Sequence, residues 1–294
     1  MPRLPKFKIA QPNIEKYFDK LSQKVFYAKD LKELFEENRQ SWGLTQSLRA
    51  EDFIVELINQ SRLQEITLHS PNYNKTLTRY SWDAAPSVYQ VALLIKPNSF
   101  FSHHTALLLH KLTRDTSKIV YLNTEQSKKP SLSKTLEQNR IDLAFKGKGR
   151  TTQYFFNYKK WKIFCISGKN TGNLGVEDLQ ISKSEKVPVT NIERTLIDIS
   201  VRPIYAGGVY QVLDSFEEAK GKFSVEKLIA ILKQLDFTYP YHQVIGFYME
   251  RAGYSNSELD SIRKIKMEYD FYLDYEMKEK DYSKEWKVYF PKDL

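Results

Sequence analysis

The apolar period of the first 82 residues changes once, and that change restricts the folds open to them. NIEKYFDKLSQKVF sets Ile14, Tyr17, Phe18, Leu21 and Val25 at the i, i+3, i+4, i+7, i+11 spacing of one helix face. Pro12 and Asn13 stand in front of it as a start signal. AKDLKELFEENRQSW repeats the stripe at Leu31, Leu34 and Phe35, and Gly43 breaks it. SLRAEDFIVELINQ gives a third stripe through Phe53, Ile54, Leu57 and Ile58. LQEITLH (63–69) and TLTRYSW (76–82) then read as strands, joined by the turn SPNYNK, rich in Pro and Asn.

Three short helices followed by a hairpin is the order of a winged helix-turn-helix, expected over residues 1–85. Such a domain reads bases from the N-terminal end of its third helix and touches the DNA backbone with the hairpin. Here those positions are Thr45, Gln46, Ser47 and Arg49 on the helix, and Tyr73, Lys75 and Arg79 on the wing. Glu51, Asp52 and Glu56 on the same helix oppose phosphate.

The remainder, 86–294, reads as an α+β domain: a mixed sheet with helices over 86–187, a helical array over 188–265 and terminal strands over 266–294. PSVYQVALLI and FFSHHTALLLHKL are expected as helices opening it, and SKKPSLSKT as a loop. PVTNIERTLIDISVRPIYAGG looks at first like a site with acid, base and glycine cradle together. A phosphate cradle needs a strand before its glycines, whereas a helical stripe (Ile192, Leu196, Ile199) and Pro203 precede Gly207 and Gly208. The spacing predicts a helix with Thr190 and Glu193 as a capping box and Pro203 as its stop. Further along, Gly221 closes a second helix, Ser224 caps a third, Gly253 closes a fourth, and Ser255 with Glu258 forms another capping box.

Net charge is +9, and residues 111–186 alone hold 16 Lys+Arg against 7 Asp+Glu, a difference of +9. That concentration favours a polyanionic partner. Within it, Lys146, Lys148, Arg150, Lys159, Lys160 and Lys162 alternate with aromatic rings, a composition suited to the phosphates and unstacked bases of RNA. One cysteine, Cys165, excludes a disulfide framework or a thiolate metal site within the chain. No apolar run approaches the roughly 20 residues of a membrane span, and the basic start MPRLPKFKIAQP lacks a signal-peptide core, so a cytoplasmic setting is expected. His103, His104 and His110 lie in an apolar helix with no acidic neighbour in sequence, which reads as packing. Asp270, Glu276 and Lys278 match the D…E-x-K pattern of magnesium-dependent nucleases, in a chain where Glu and Lys make such triplets common.

Several segments together resemble one family. They are TNIERTLIDISVRPIYAGGVYQVL, YPYHQVIGFYMERAGY, FFSHHTALLLHKL with KIVYLNTEQ, and MEYDFYLDYEMKEKDYSKEWKVYFPKDL. The chain resembles AbiEi-type antitoxins of type IV toxin–antitoxin, or abortive-infection, systems, most specifically in the string ERTLID…RP.YAGG. The resemblance implies a winged helix-turn-helix that binds operator DNA and represses its own operon. It implies a second domain that neutralises a nucleotidyltransferase-like toxin, typically without a stable complex. It implies no catalysis, cofactor or metal. With a toxin as functional partner, the 146–162 patch is a candidate RNA- or toxin-binding surface. This sequence departs from a minimal winged helix in the insertion RQSWGLTQS and in its acidic third helix.

Overall fold

In the computed structural model, which describes residues 6–83, 85–128, 136–183 and 185–294, the chain forms two compact units. The first comprises 1–97 and 154–163, the second 98–153 and 164–294. The first unit holds α1 (Lys6–Lys20), β1 (Val25–Phe26), α2 (Ala28–Asn38), α3 (Ala50–Gln60), β2 (Leu63–Ser70), β3 (Lys75–Trp82) and α4 (Val88–Leu93). The second opens with β4 (Phe100–Phe101), α5 (His103–Leu109), β5 (Ile119–Glu125) and α6 (Gln138–Lys146). β6 (Phe155–Tyr158) belongs to the first unit, and β7 (Trp161–Gly168) begins there and ends in the second. The second unit continues with β8 (Val176–Ser182), β9 (Glu185–Thr190), α7 (Ile192–Val201), α8 (Val209–Ala219), α9 (Val225–Leu235), α10 (Tyr241–Arg251) and α11 (Asn256–Arg263). It ends with β10 (Phe271–Tyr272), β11 (Lys280–Ser283) and β12 (Val288–Pro291). The fold is mixed α+β. The first five residues of the basic start and most of the SKKPSLSKT loop fall outside the described residues.

In the first unit β1 pairs with β3, β3 with β2, and β2 with β6, all antiparallel, which gives the order β1-β3-β2-β6. The three larger helices cover an aromatic core: Phe18 stacks on Trp82 at 4.6 Å and Trp42 on Phe53 at 5.6 Å. Rings of this size dominate the burial energy of a small core. The sequence placed the start of α1 after Pro12, but the helix begins at Lys6 and carries Pro12 inside. Its buried stripe runs Phe7, Ala10, Ile14, Phe18, so packing outweighs the amide that proline lacks. Val25, read as the end of that stripe, lies in β1 instead. At the helix end Lys24 Nζ donates to the carbonyls of Phe18 (2.9 Å) and Asp19 (3.0 Å). The first unit also reaches further than residue 85: it includes α4 and recovers 154–163 from the stretch assigned to the second domain.

In the second unit β4 pairs antiparallel with β5 and parallel with β9, which pairs antiparallel with β8. A separate small sheet has the order β10-β12-β11. Helices α5, α8, α9 and α10 all pack on α7. A helix enclosed on every side is normally apolar. Here Glu193, Arg194 and Asp198 are buried with the rest, and each has a polar partner, although Asp198 Oδ2 has none among the described residues. Arg194 Nε donates to Asp198 Oδ1 at 2.8 Å and its Nη1 to the Leu174 carbonyl at 2.8 Å. Glu193 meets the Ser224 amide at 3.3 Å and Lys227 at 3.2 Å. The expected capping box of Thr190 and Glu193 does not form. Thr190 pairs with Val176 in β9, so its backbone is not available to start a helix. Asn191 caps α7 instead, accepting from the Arg194 amide at 2.9 Å. Pro203 follows the helix end as expected, and Gly207 (φ 104°) and Gly208 (φ 99°) take backbone angles other residues avoid.

Candidate functional site

The helix-hairpin face of the first unit carries the duplex-reading positions named from the sequence. α3 starts at Ala50, so Thr45, Gln46 and Ser47 lie in the turn before it and Arg49 is its N-cap. The turn is fixed from beneath by Arg39, whose Nε and Nη2 donate to the Thr45 carbonyl at 3.0 and 2.9 Å. Gln46, Ser47 and Arg49 are exposed. Arg49 grips Asp52 through two hydrogen bonds of 2.8 and 3.0 Å, and Lys32 reaches Glu51 at 2.5 Å. The acidic start of α3 is therefore balanced by two cations, and the carboxyls of Glu51 and Asp52 are held below their ordinary range by those hydrogen bonds. Paired carboxylates of this kind repel phosphate less than bare ones.

The hairpin places its three residues differently from one another. Tyr73 is 57% exposed at the tip, with its ring edge-on to Tyr154 of the returning segment at 4.9 Å. Asn74 takes the left-handed φ of 44° that turns the chain, and Lys75 is exposed at the start of β3. Arg79 faces inward. Its guanidinium donates to the carbonyls of Leu94 (2.6 Å) and Thr78 (2.7 Å) and lies 4.7 Å over the Tyr27 ring, and burial lowers its proton affinity. It is committed to holding the hairpin rather than offered to a ligand. Arg39 and Tyr154 are the contributors the sequence reading left out; their roles depend on contacts that no local pattern reports.

The basic stretch 146–162 divides. Lys146, Lys148 and Arg150 belong to the second unit, while Lys159, Lys160 and Lys162 belong to the first. Lys159 and Lys160 make the turn between β6 and β7, and Lys159 (5.3 Å from the Tyr158 ring) and Lys162 (5.6 Å from Phe155) rest on neighbouring aromatics.

Buried polar groups of the second unit are mostly structural. His103 is enclosed beside Ser102, whose Oγ lies 2.8 Å from Nδ1, and burial depresses its pKa to about 4, so it is neutral. His104 has an acidic neighbour after all: Asp115 Oδ2 lies 2.9 Å from Nε2. His110 meets the Thr190 carbonyl at 2.7 Å. The three-glycine loop before β8 closes on Glu125, which accepts the amides of Thr171 (2.9 Å), Gly172 (2.9 Å) and Asn173 (3.2 Å). Burial works against that charge, and the hydrogen bonds outweigh it, holding the carboxyl low.

For the nuclease pattern, Asp270 accepts the Tyr282 hydroxyl at 2.6 Å, and Glu276 sits at φ 52° in a bend after β10. Among the described residues no three His, Cys, Asp or Glu side chains gather as a metal site, and no helix is long and apolar enough to cross a membrane.

Neither a protein-family model nor a curated protein matches the chain. Among solved structures, the RV2827C protein from Mycobacterium tuberculosis aligns with a TM-score of 0.59 at 13% identity, over 98% of this chain and 92% of that one. At that identity the likeness is one of fold.

Proposed function

We propose that this chain is a DNA-binding autorepressor whose second unit serves as the antitoxin of a type IV toxin–antitoxin system. One observation carries the DNA-binding half. The element order α1-β1-α2-α3-β2-β3 with strand order β1-β3-β2 supports reading the first unit as a winged helix-turn-helix. An exposed turn at 45–49 leads into α3, and Tyr73 and Lys75 stand at the wing tip. In this reading Gln46, Ser47 and Arg49 approach base edges from the turn, and Lys75 neutralises a phosphate. The antitoxin half rests on the ERTLID…RP.YAGG resemblance, with a nucleotidyltransferase-like toxin as the functional partner.

Fluorescence anisotropy with the chain's own upstream duplex and an unrelated duplex tests the first half. Affinity should favour the upstream sequence and fall steeply with salt as counterions are released. No binding at low salt, or equal affinity for both duplexes, overturns it. Co-expression with the toxin tests the second: growth should be restored by the full chain, and continued arrest removes the antitoxin assignment.

A further inference from the structure

A cavity of about 250 Å³ opens in the second unit where the end of α6 meets the bend before β11. Phe145, Tyr272, Glu276 and Met277 line it together with Lys146, Lys278 and Lys280, which bring ammonium groups. Two segments far apart in the chain build it, and backbone bonds fix them: the Glu276 amide donates to the Phe145 carbonyl at 2.9 Å and the Leu273 amide to Tyr289 at 2.9 Å. Phe145 and Tyr272 stack on each other at 5.5 Å and 12°. Lys280 Nζ is clamped 4.8 Å from the Tyr272 ring and 4.5 Å from the Tyr289 ring. Lys146 and Lys278 have no ion-pair or hydrogen-bond partner among the described residues.

Three ammonium groups against one carboxylate leave +2 in the cavity. A phosphate monoester carries about −1.5 to −2 at neutral pH and complements that charge. Glu276 repels a bare anion but accepts hydrogen bonds from hydroxyl groups. The volume lies below the roughly 300–1,000 Å³ of drug-sized sites, so a phosphate and the sugar beside it fill it. We infer that this cavity binds a sugar phosphate, free or as part of a nucleotide. Its phosphate rests on Lys146, Lys278 and Lys280 and its hydroxyls on Glu276. The inference is independent of duplex binding, which uses the first unit.

Calorimetric titration of the full chain with inorganic phosphate, ribose 5-phosphate and adenosine 5′-monophosphate tests it. Ribose 5-phosphate should bind one to one, more tightly than inorganic phosphate and more weakly as salt rises. Lys146→Gln with Lys278→Gln should weaken ribose 5-phosphate by about tenfold, the loss of two charge-assisted contacts. Lys278→Gln alone, expected to lose about threefold, keeps the test open if the double variant fails to fold. Glu276→Gln should tighten inorganic phosphate while weakening ribose 5-phosphate, which a merely attractive surface would not do. Equal affinity for the two organic probes identifies the free sugar phosphate as sufficient, and a tighter nucleotide identifies the nucleotide as the source. Lack of saturable binding at about 10 mM of any probe overturns the inference. So does undiminished binding in the lysine variants, or an E276Q effect of one sign on both phosphates.

Discussion

Gly246 lies inside α10 directly beneath the indole of Trp286, which is fully buried. A Cβ at this position would stand 2.0 Å from Cζ3, 2.3 Å from Cε3 and 2.5 Å from Cη2 of that ring. The ring has little room to retreat. Its Nε1 donates to Glu250 at 3.0 Å, and Gln243 Nε2 donates to its carbonyl at 2.8 Å. In a helix open to solvent, Gly→Ala would stabilise by about 1 kcal/mol. Here that gain is opposed by overpacking of about 1–3 kcal/mol, and by up to about 3–5 kcal/mol if the indole is expelled. We expect Gly246→Ala to cost about 2 kcal/mol net, which lowers the melting temperature by roughly 4–8 °C in a unit of this size. Trp286→Leu should also destabilise, but adding Gly246→Ala to it should cost nothing further, because the clash is gone. Thermal and urea unfolding of the four proteins decide the matter. A Gly246→Ala variant that melts at or above the parent, or strict additivity of the two changes, would refute the close approach of ring and helix.

Other expectations follow from groups whose surroundings are equally specific. Arg79→Ala should lower the melting temperature of the first unit, whereas Lys75→Ala should leave it unchanged and reduce the salt slope of duplex binding by about 1; the reverse pattern would show that Arg79 is the phosphate contact. Burial, followed by the charge of Glu285, raises the Glu250 carboxyl above its ordinary 4.5. The unfolded chain therefore gives up that proton first as pH rises, and folding is disfavoured above about pH 4.5. Glu250→Gln should stabilise at neutral pH, with a gain that fades as pH drops below the ordinary carboxylate value, as measured by urea midpoints across pH. His103 has the opposite chemistry: the unfolded imidazole takes a proton near pH 6.5 and the folded one only near 4. Stability is complete above 6.5 and declines by roughly 3 kcal/mol on the way down to 4. His103→Asn, which tolerates the φ of 53° there, should flatten that part of the pH profile.

The sequence made visible those features whose cause is local. The stripes of α2 and α3, the hairpin of β2 and β3 with its turn between them, the serine caps at 224 and 255 and the glycine stop at 221 each depend on neighbours within a turn or two. Pro12 misled because proline is a start signal only when packing does not extend the helix past it. β1 was hidden by its two-residue length. The burial of Glu193, Arg194 and Asp198 could not be read either: a charged residue on a helix is normally solvated, and the exception rests on partners at Leu174, Ser224 and Lys227. The candidate duplex face was legible as a region, but its residues were not equivalent. Arg79 and Lys75 look alike in the string and differ by what Leu94 and Tyr27 place beside them. The lysine cavity was invisible for a related reason, since Lys146 and Lys278 meet only through folding.

The strand β6 has a bearing on how this protein can be made and dissected. It docks on β2 at His69↔Asn157, although the 61 residues 94–154 separate α4 from β6 and most of them belong to the second unit.

 A ribosome must therefore release the chain past residue 163 before the first unit has all its parts. A truncation at residue 85 or 97 would leave the outer edge of β2 uncovered, an invitation to pair with other chains. The first unit is thus no detachable cassette: no single cut frees it whole, and exchanging it between proteins would require transplanting two pieces of chain at once.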